Sequence, residues 1–152
     1  MIRPADYKDL DSLVLLVKDF FNTGGIDGTG LVFDCPSTFN FLVDVMDNDR
    51  CEIFVFDQEG INGCIAGMIY PWEFNKSITV LKEIGWFIPI EYRKVNPMAA
   101  FSLLRKLFSW GKSMGATVRI VSSHKRAESE RVIKFFNNIG MKMTDSNFIG
   151  RL

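Results

Sequence analysis

The chain predicts an α/β protein of the α+β kind, with a mixed, mostly antiparallel sheet flanked by helices. Three observations carry this expectation. Segments with helical period fill most of the first 50 residues, and from Cys51 the pattern changes to β-rich runs, CEIFVFD and INGCIAGMIYPW. The stretch IGWFIPIEYRKVNPMAAFSLLRKLFSWGKSMGA, from Ile84 to Ala116, then reads as a strand, a Tyr-Arg-Lys loop and a long amphipathic helix. A further apolar strand, Ala116 to Ser122, completes a β-α-β unit and implies parallel pairing across it.

In order along the chain, Ile2 to Ala5 suits a short strand, and Asp9 or Asp11 suits the cap of a helix whose Leu10, Leu13, Val14, Val17 and Phe20 or Phe21 share a face. Four glycines between Thr23 and Gly30 mark a loop. Pro36 fits the first turn of a second helix, with an apolar stripe of Phe39, Leu42, Val43 and Met46 that stops near Asp47-Asn48-Asp49. Gln58-Glu59-Gly60 is a hairpin turn, and Ser77 to Ile90 continues the antiparallel sheet. The helix from about Ala99 to Met114 stops before Gly115, a residue suited to a left-handed cap. Val132, Phe135, Phe136 and Ile139 give a last helix its buried face, and Met141 to Leu152 supply one or two terminal strands. The order is β-α-α-β-β-β-α-β-α-β(-β).

Composition narrows the functional classes. At 152 residues, 47% hydrophobic and 24% charged, the chain suits a single domain over residues 1–152. Lys+Arg and Asp+Glu balance at 18 each, so no net field favours nucleic acid or an anionic membrane as a partner. No apolar run reaches the ~18 residues of a membrane span. Cys35, Cys51 and Cys64 are scattered and there is one histidine, which gives no metal-ligand set and favours reduced thiols in a cytoplasmic setting. His124 lies beside Ser122 and Ser123, but no third group is identifiable to orient it, which argues against a hydrolase triad.

The start of the helix at Ala99 points to a phosphate-bearing ligand, because the first N–H groups of a helix are unpaired and its dipole is positive there. Three local agreements extend this. Ile90-Glu91-Tyr92-Arg93 resembles a Pro-Glu-Tyr-Arg motif, LLRKLFSWGKSMGA resembles the helix that follows it, and Phe135-Phe136-Asn137-Asn138-Ile139-Gly140-Met141 resembles Phe-Tyr-Glu-Lys-Leu-Gly-Phe. In this order and spacing the chain resembles a divergent member of the GCN5-related N-acetyltransferase superfamily along nearly its whole length.

That resemblance implies a transfer of acetyl from acetyl-CoA, used as co-substrate without a metal, to an amine on a small molecule, peptide or protein. It implies that the backbone at Ile88 and Ile90 meets the pantetheine arm between splayed fourth and fifth strands. Arg93, Lys94, Val95, Asn96, Met98, Ala99 and Ala100 then surround the pyrophosphate, and Ser129 stands where a pantetheine-binding Asn is common. Glu83 occupies the place of a general base, against the plainer reading of an exposed strand carboxylate. Three departures are visible. Pro89 has no N–H to donate, the glycine loop keeps one small residue at best, and Phe136 replaces the tyrosine that serves as general acid. Tyr70, Ser123 or water are substitutes for that acid, and catalytic loss in a binding or structural relative is the alternative. Trp72 and Phe74 fall where this fold forms an acceptor side or a homodimer surface.

Overall fold

Among the described residues, five strands follow one another in space as they do in sequence, so the sheet order is β1-β2-β3-β4-β5. A computed structural model describes residues 1–24, 29–122 and 130–144. The strands are β1 (Ile2–Pro4), β2 (Cys51–Asp57), β3 (Ile61–Trp72), β4 (Asn75–Phe87) and β5 (Val118–Ile120). Neighbours pair antiparallel except β4 and β5, which are parallel, as the crossover between them requires. The helices are α1 (Leu10–Thr23), α2 (Cys35–Asp47), a short α3 (Ile90–Val95), α4 (Ala99–Ser113) and α5 (Glu130–Asn138).

Two apolar clusters separate the faces of the sheet. On one, Leu10, Leu13, Val14 and Leu16 of α1 and Leu42 and Val45 of α2 pack over Ile53 and Val55. On the other, Leu103, Leu104 and Leu107 of α4 pack over Phe54, Phe56, Ile65 and Leu81. Consecutive residues of β2 therefore feed opposite cores, which explains why CEIFVFD is apolar at nearly every position. The β2–β3 turn places Glu59 at φ 55° and Gly60 at φ 125°, so the glycine supplies a conformation that side chains avoid. Gly115, at φ 84°, ends α4 in the same way.

Local chemistry differs from the sequence expectation at several points. Asp9 does not cap α1 with its side chain. It is 4% exposed, and its carboxylate accepts from Arg3 Nη1 and Nη2 at 2.7 and 2.9 Å and from the Asp6 N–H at 2.9 Å. The guanidinium holds the Asp9 carboxyl below the usual carboxylate range, and Arg3 Nε also reaches Asp57, tying β1 to β2. In α2 the fully buried positions are Leu42 and Val45, Val43 and Met46 are half-buried against the same core, and Phe39 is 38% exposed; Asp34 caps this helix by accepting from Ser37 N–H at 2.8 Å. The Tyr-Arg-Lys loop contains the α3 turn, β4 stops at Phe87 rather than Ile90, and residues 141–144 are not in a strand. The remainder of the expected terminal strands, from Asp145, lies outside the described residues.

Candidate active site

The candidate site lies where β4 and β5 part. Their parallel pairing covers only Val80–Lys82 against Val118–Ile120. Two residues beyond Lys82, Ile84 is inserted into the β3–β4 ladder, since Ala66 pairs with Gly85 and Gly67 pairs with Glu83. Such a bulge bends its strand and interrupts the ladder. The two strands are therefore paired below this point and separate at it.

Glu83 sits at that divergence. It is 6% exposed, and its Oε2 accepts the Ser122 N–H at 3.1 Å, so a side chain links β4 to the segment leaving β5 where the backbone ladder has ended. Burial raises the carboxyl from 4.5 to about 7, against the opposing pull of the Ser122 N–H and of Lys82. A group poised there exchanges protons near neutrality, which is the property a general base needs. The plainer expectation of an exposed strand carboxylate is thus overturned by its burial.

The chain beyond β4 turns toward the start of α4. Ile88 is 3% exposed and joins the α4-side core, Pro89 is buried, and Ile90 opens α3 with 61% exposure. Arg93, Lys94 and Val95 are exposed on α3. The Asn96-Pro97-Met98 turn follows, with Asn96 O accepting from Ala99 N–H at 3.1 Å and Met98 O from Ser102 N–H at 2.9 Å. Ser102 donates the first full-turn bond of α4, so the N–H groups of Ala100 and Phe101 precede that ladder, as at every helix start. Ala99 and Ala100 are small, and Met98 is 61% exposed. The extra loop residues are taken up by α3.

Other candidates fall elsewhere. Tyr70 lies three positions along β3 from Gly67, the partner of Glu83, roughly 10 Å away by strand rise. Burial raises its phenol further from neutrality. Phe136 is half-buried in a ring cluster, 5.3 Å from Phe135, which stands 4.3 Å from Phe101. Ser123, His124 and Ser129 lie outside the described residues. Trp72 and Phe74 meet edge to face at 5.4 Å at the β3–β4 turn and are 38% and 86% exposed. Among the described residues no group of three or more His, Cys, Asp or Glu is placed to hold a metal ion, and no helix is long and apolar enough to cross a membrane.

Sequence reasoning missed two features around Glu83, the Ser122 N–H and the bulge that precedes Gly85. A backbone donor leaves no trace in residue type. The glycine inside an apolar strand did carry a signal, since it marks a bulge or an open backbone.

No family model matches the sequence, and no curated protein matches it significantly. Solved structures do match in fold. A predicted acetyltransferase from Clostridium acetobutylicum, solved with acetyl-CoA, has a TM-score of 0.76 at 16% identity, over 97% of this chain and 93% of that one. Glucosamine-6-phosphate N-acetyltransferase from Arabidopsis thaliana gives 0.73 at 15% identity, over 99% and 97%. A transcriptional regulator from Bacillus halodurans gives 0.77 at 15%, over 100% and 99%. The fold is that of the GCN5-related N-acetyltransferases.

Proposed function

We propose that the protein is a divergent GCN5-related N-acetyltransferase that moves an acetyl group from acetyl-CoA to an amine. The observation that carries this reading is the buried Glu83 carboxyl, raised to about 7, at the point where β4 and β5 separate. A strand pair that opened for no purpose would leave ladder groups unpaired, and burying a carboxyl there opposes folding.

When bound, acetyl-CoA supplies the thioester carbonyl that an amine attacks. In this reading the N–H groups at the start of α4 hold the pyrophosphate with Arg93 and Lys94 nearby, and the backbone around Ile88 and Ile90 lies along the pantetheine arm. Glu83 takes a proton from the incoming amine, directly or through one water. Phe136 has no proton to give, so the departing thiolate takes its proton from solvent. The solved structures support the reading through their shared fold.

Calorimetric titration with acetyl-CoA tests the reading. Micromolar binding that weakens about tenfold when Arg93 and Lys94 are both replaced by alanine is the expected result. No binding at millimolar concentration sinks it and favours the second reading, a non-catalytic protein on this fold, for which the phenylalanine at position 136 is the specific argument.

A further inference from the structure

A cleft lies on the far flank of α4, over the β1–β2 edge of the sheet. Its volume is about 300 Å³, at the lower end of the roughly 300–1,000 Å³ of small-molecule sites. The floor is Phe54 of β2 with Pro4 of β1 beside it, because these two residues pair across the strands and share a face. Glu52, two residues before Phe54 on the same strand face, extends this floor. Lys106, Ser109, Trp110 and Ser113 form the wall on α4, where spacings of three, four and seven residues put them on one side of the helix.

Two opposite charges border the cleft without pairing. Glu52 is half-buried; its Oε1 accepts the N–H of the adjacent Ile53 at 3.2 Å, and its Oε2 has no hydrogen-bond partner among the described residues. Burial raises its carboxyl above the ordinary value, against the pull of the Ile53 N–H and of Lys106. Lys106 Nζ stands over the Phe54 ring, 5.6 Å from its centroid, and makes no ion pair among the described residues. A ligand of one charge sign meets a like charge at one of these two groups, whereas a zwitterion meets an opposite charge at both. Between them Phe54 and Trp110 offer apolar surface to a side chain.

This cleft is separate from the divergence of β4 and β5. Glu52 pairs with Gly67 and Gly67 with Glu83, so the two glutamates occupy one row of the sheet, two strand spacings or roughly 10 Å apart. The helix rests on that row between them, since a Cβ on Gly67 would stand 2.7 Å from Leu107 Cδ1. A ligand held by Glu52 and Lys106 is thus screened from Glu83 by α4, whatever chemistry occurs there.

We infer that the cleft between α4 and the β1–β2 edge is a binding site for a free α-amino acid with an apolar side chain. Its ammonium lies against Glu52, its carboxylate against Lys106 Nζ and the Ser109 hydroxyl, and its side chain on Phe54 and Trp110.

Protein NMR with L-phenylalanine as the probe tests this, and the indole N–H of Trp110, assigned from Trp110→Phe, is the local reporter. Saturable shifts of that resonance are expected, with a Kd between about 10 µM and 1 mM. Phenylalaninamide keeps only the positive charge and N-acetylphenylalanine only the negative one, and each should bind about tenfold or more weakly than the free amino acid. Glu52→Gln and Lys106→Met should each lose about tenfold or more for phenylalanine while the rest of the amide spectrum is retained. Either variant carries the test if the other unfolds. No shift of the Trp110 indole up to about 10 mM, equal binding of either singly charged analogue, or affinity kept in either folded variant overturns the assignment. Phenylalanine that shifts only residues around Glu83 overturns it too, and marks the amino acid as an acceptor instead.

Discussion

Glu83 is where one residue decides most. Its carboxyl titrates at about 7 in the folded protein and at 4.5 unperturbed. If it is the base, kcat/KM rises as pH increases through about 7, and Glu83→Gln removes that limb and slows turnover by roughly 10²- to 10⁴-fold at pH 8. The same shift has a sign in stability. Between pH 4.5 and 7 the folded state binds the extra proton, so stability falls as pH rises through this window, and above it the buried charge costs about 3 kcal/mol. Glu83→Gln should therefore be more stable than the wild type at pH 8 and nearly equal near pH 4.5. Urea unfolding at both values checks this, and an unchanged difference between them would remove burial as the cause of the shift. The position of Glu83 was legible in the sequence, since a carboxylate in that strand is visible on inspection. Its burial was not, because the covering residues and the Ser122 N–H come from elsewhere in the chain.

Elements show the same division. The apolar spacing of α4 was readable, and Leu103, Leu104 and Leu107 are indeed each at 1% exposure or less. Gly111 in its last turns is a poor helix former, and the reason for it is tertiary. A Cβ there would stand 2.5 Å from Leu81 Cδ2 and 3.1 Å from its Cγ, so only glycine lets α4 lie this close to β4. Gly111→Ala should destabilise the protein by about 1 to 3 kcal/mol, even though alanine gains ~1 kcal/mol of helix propensity. Chemical denaturation measures the balance, and a more stable variant would mean that Leu81 repacks without strain. In β4 the apolar run announced a strand but not the bulge at Ile84, because register belongs to two strands at once.

Across the whole molecule, equal numbers of positive and negative residues conceal a strong segregation. The first 60 residues carry eight more acids than bases, and the remainder reverses that balance. The layer of β1, β2, α1 and α2 and the helix mouth proposed for CoA thus carry opposite fields. Raising ionic strength from 0.05 to 0.5 M should weaken acetyl-CoA and a cationic amine alike, by roughly several-fold each, whereas a neutral acceptor analogue should be little affected. Salt-independent affinity for the cation would show that contact chemistry alone selects it.

The sequence by itself determined strands β1 to β5, helices α1, α2, α4 and α5, their order and the parallel crossover, but not the α3 turn, because period, turn chemistry and connection length are local properties. Tertiary structure alone decided where β4 and β5 part, that Glu83 is buried there, and that Ile84 is bulged out of register. Each of these depends on which distant segment arrives to cover or to leave a surface, and side-chain spacing along one strand holds no record of that.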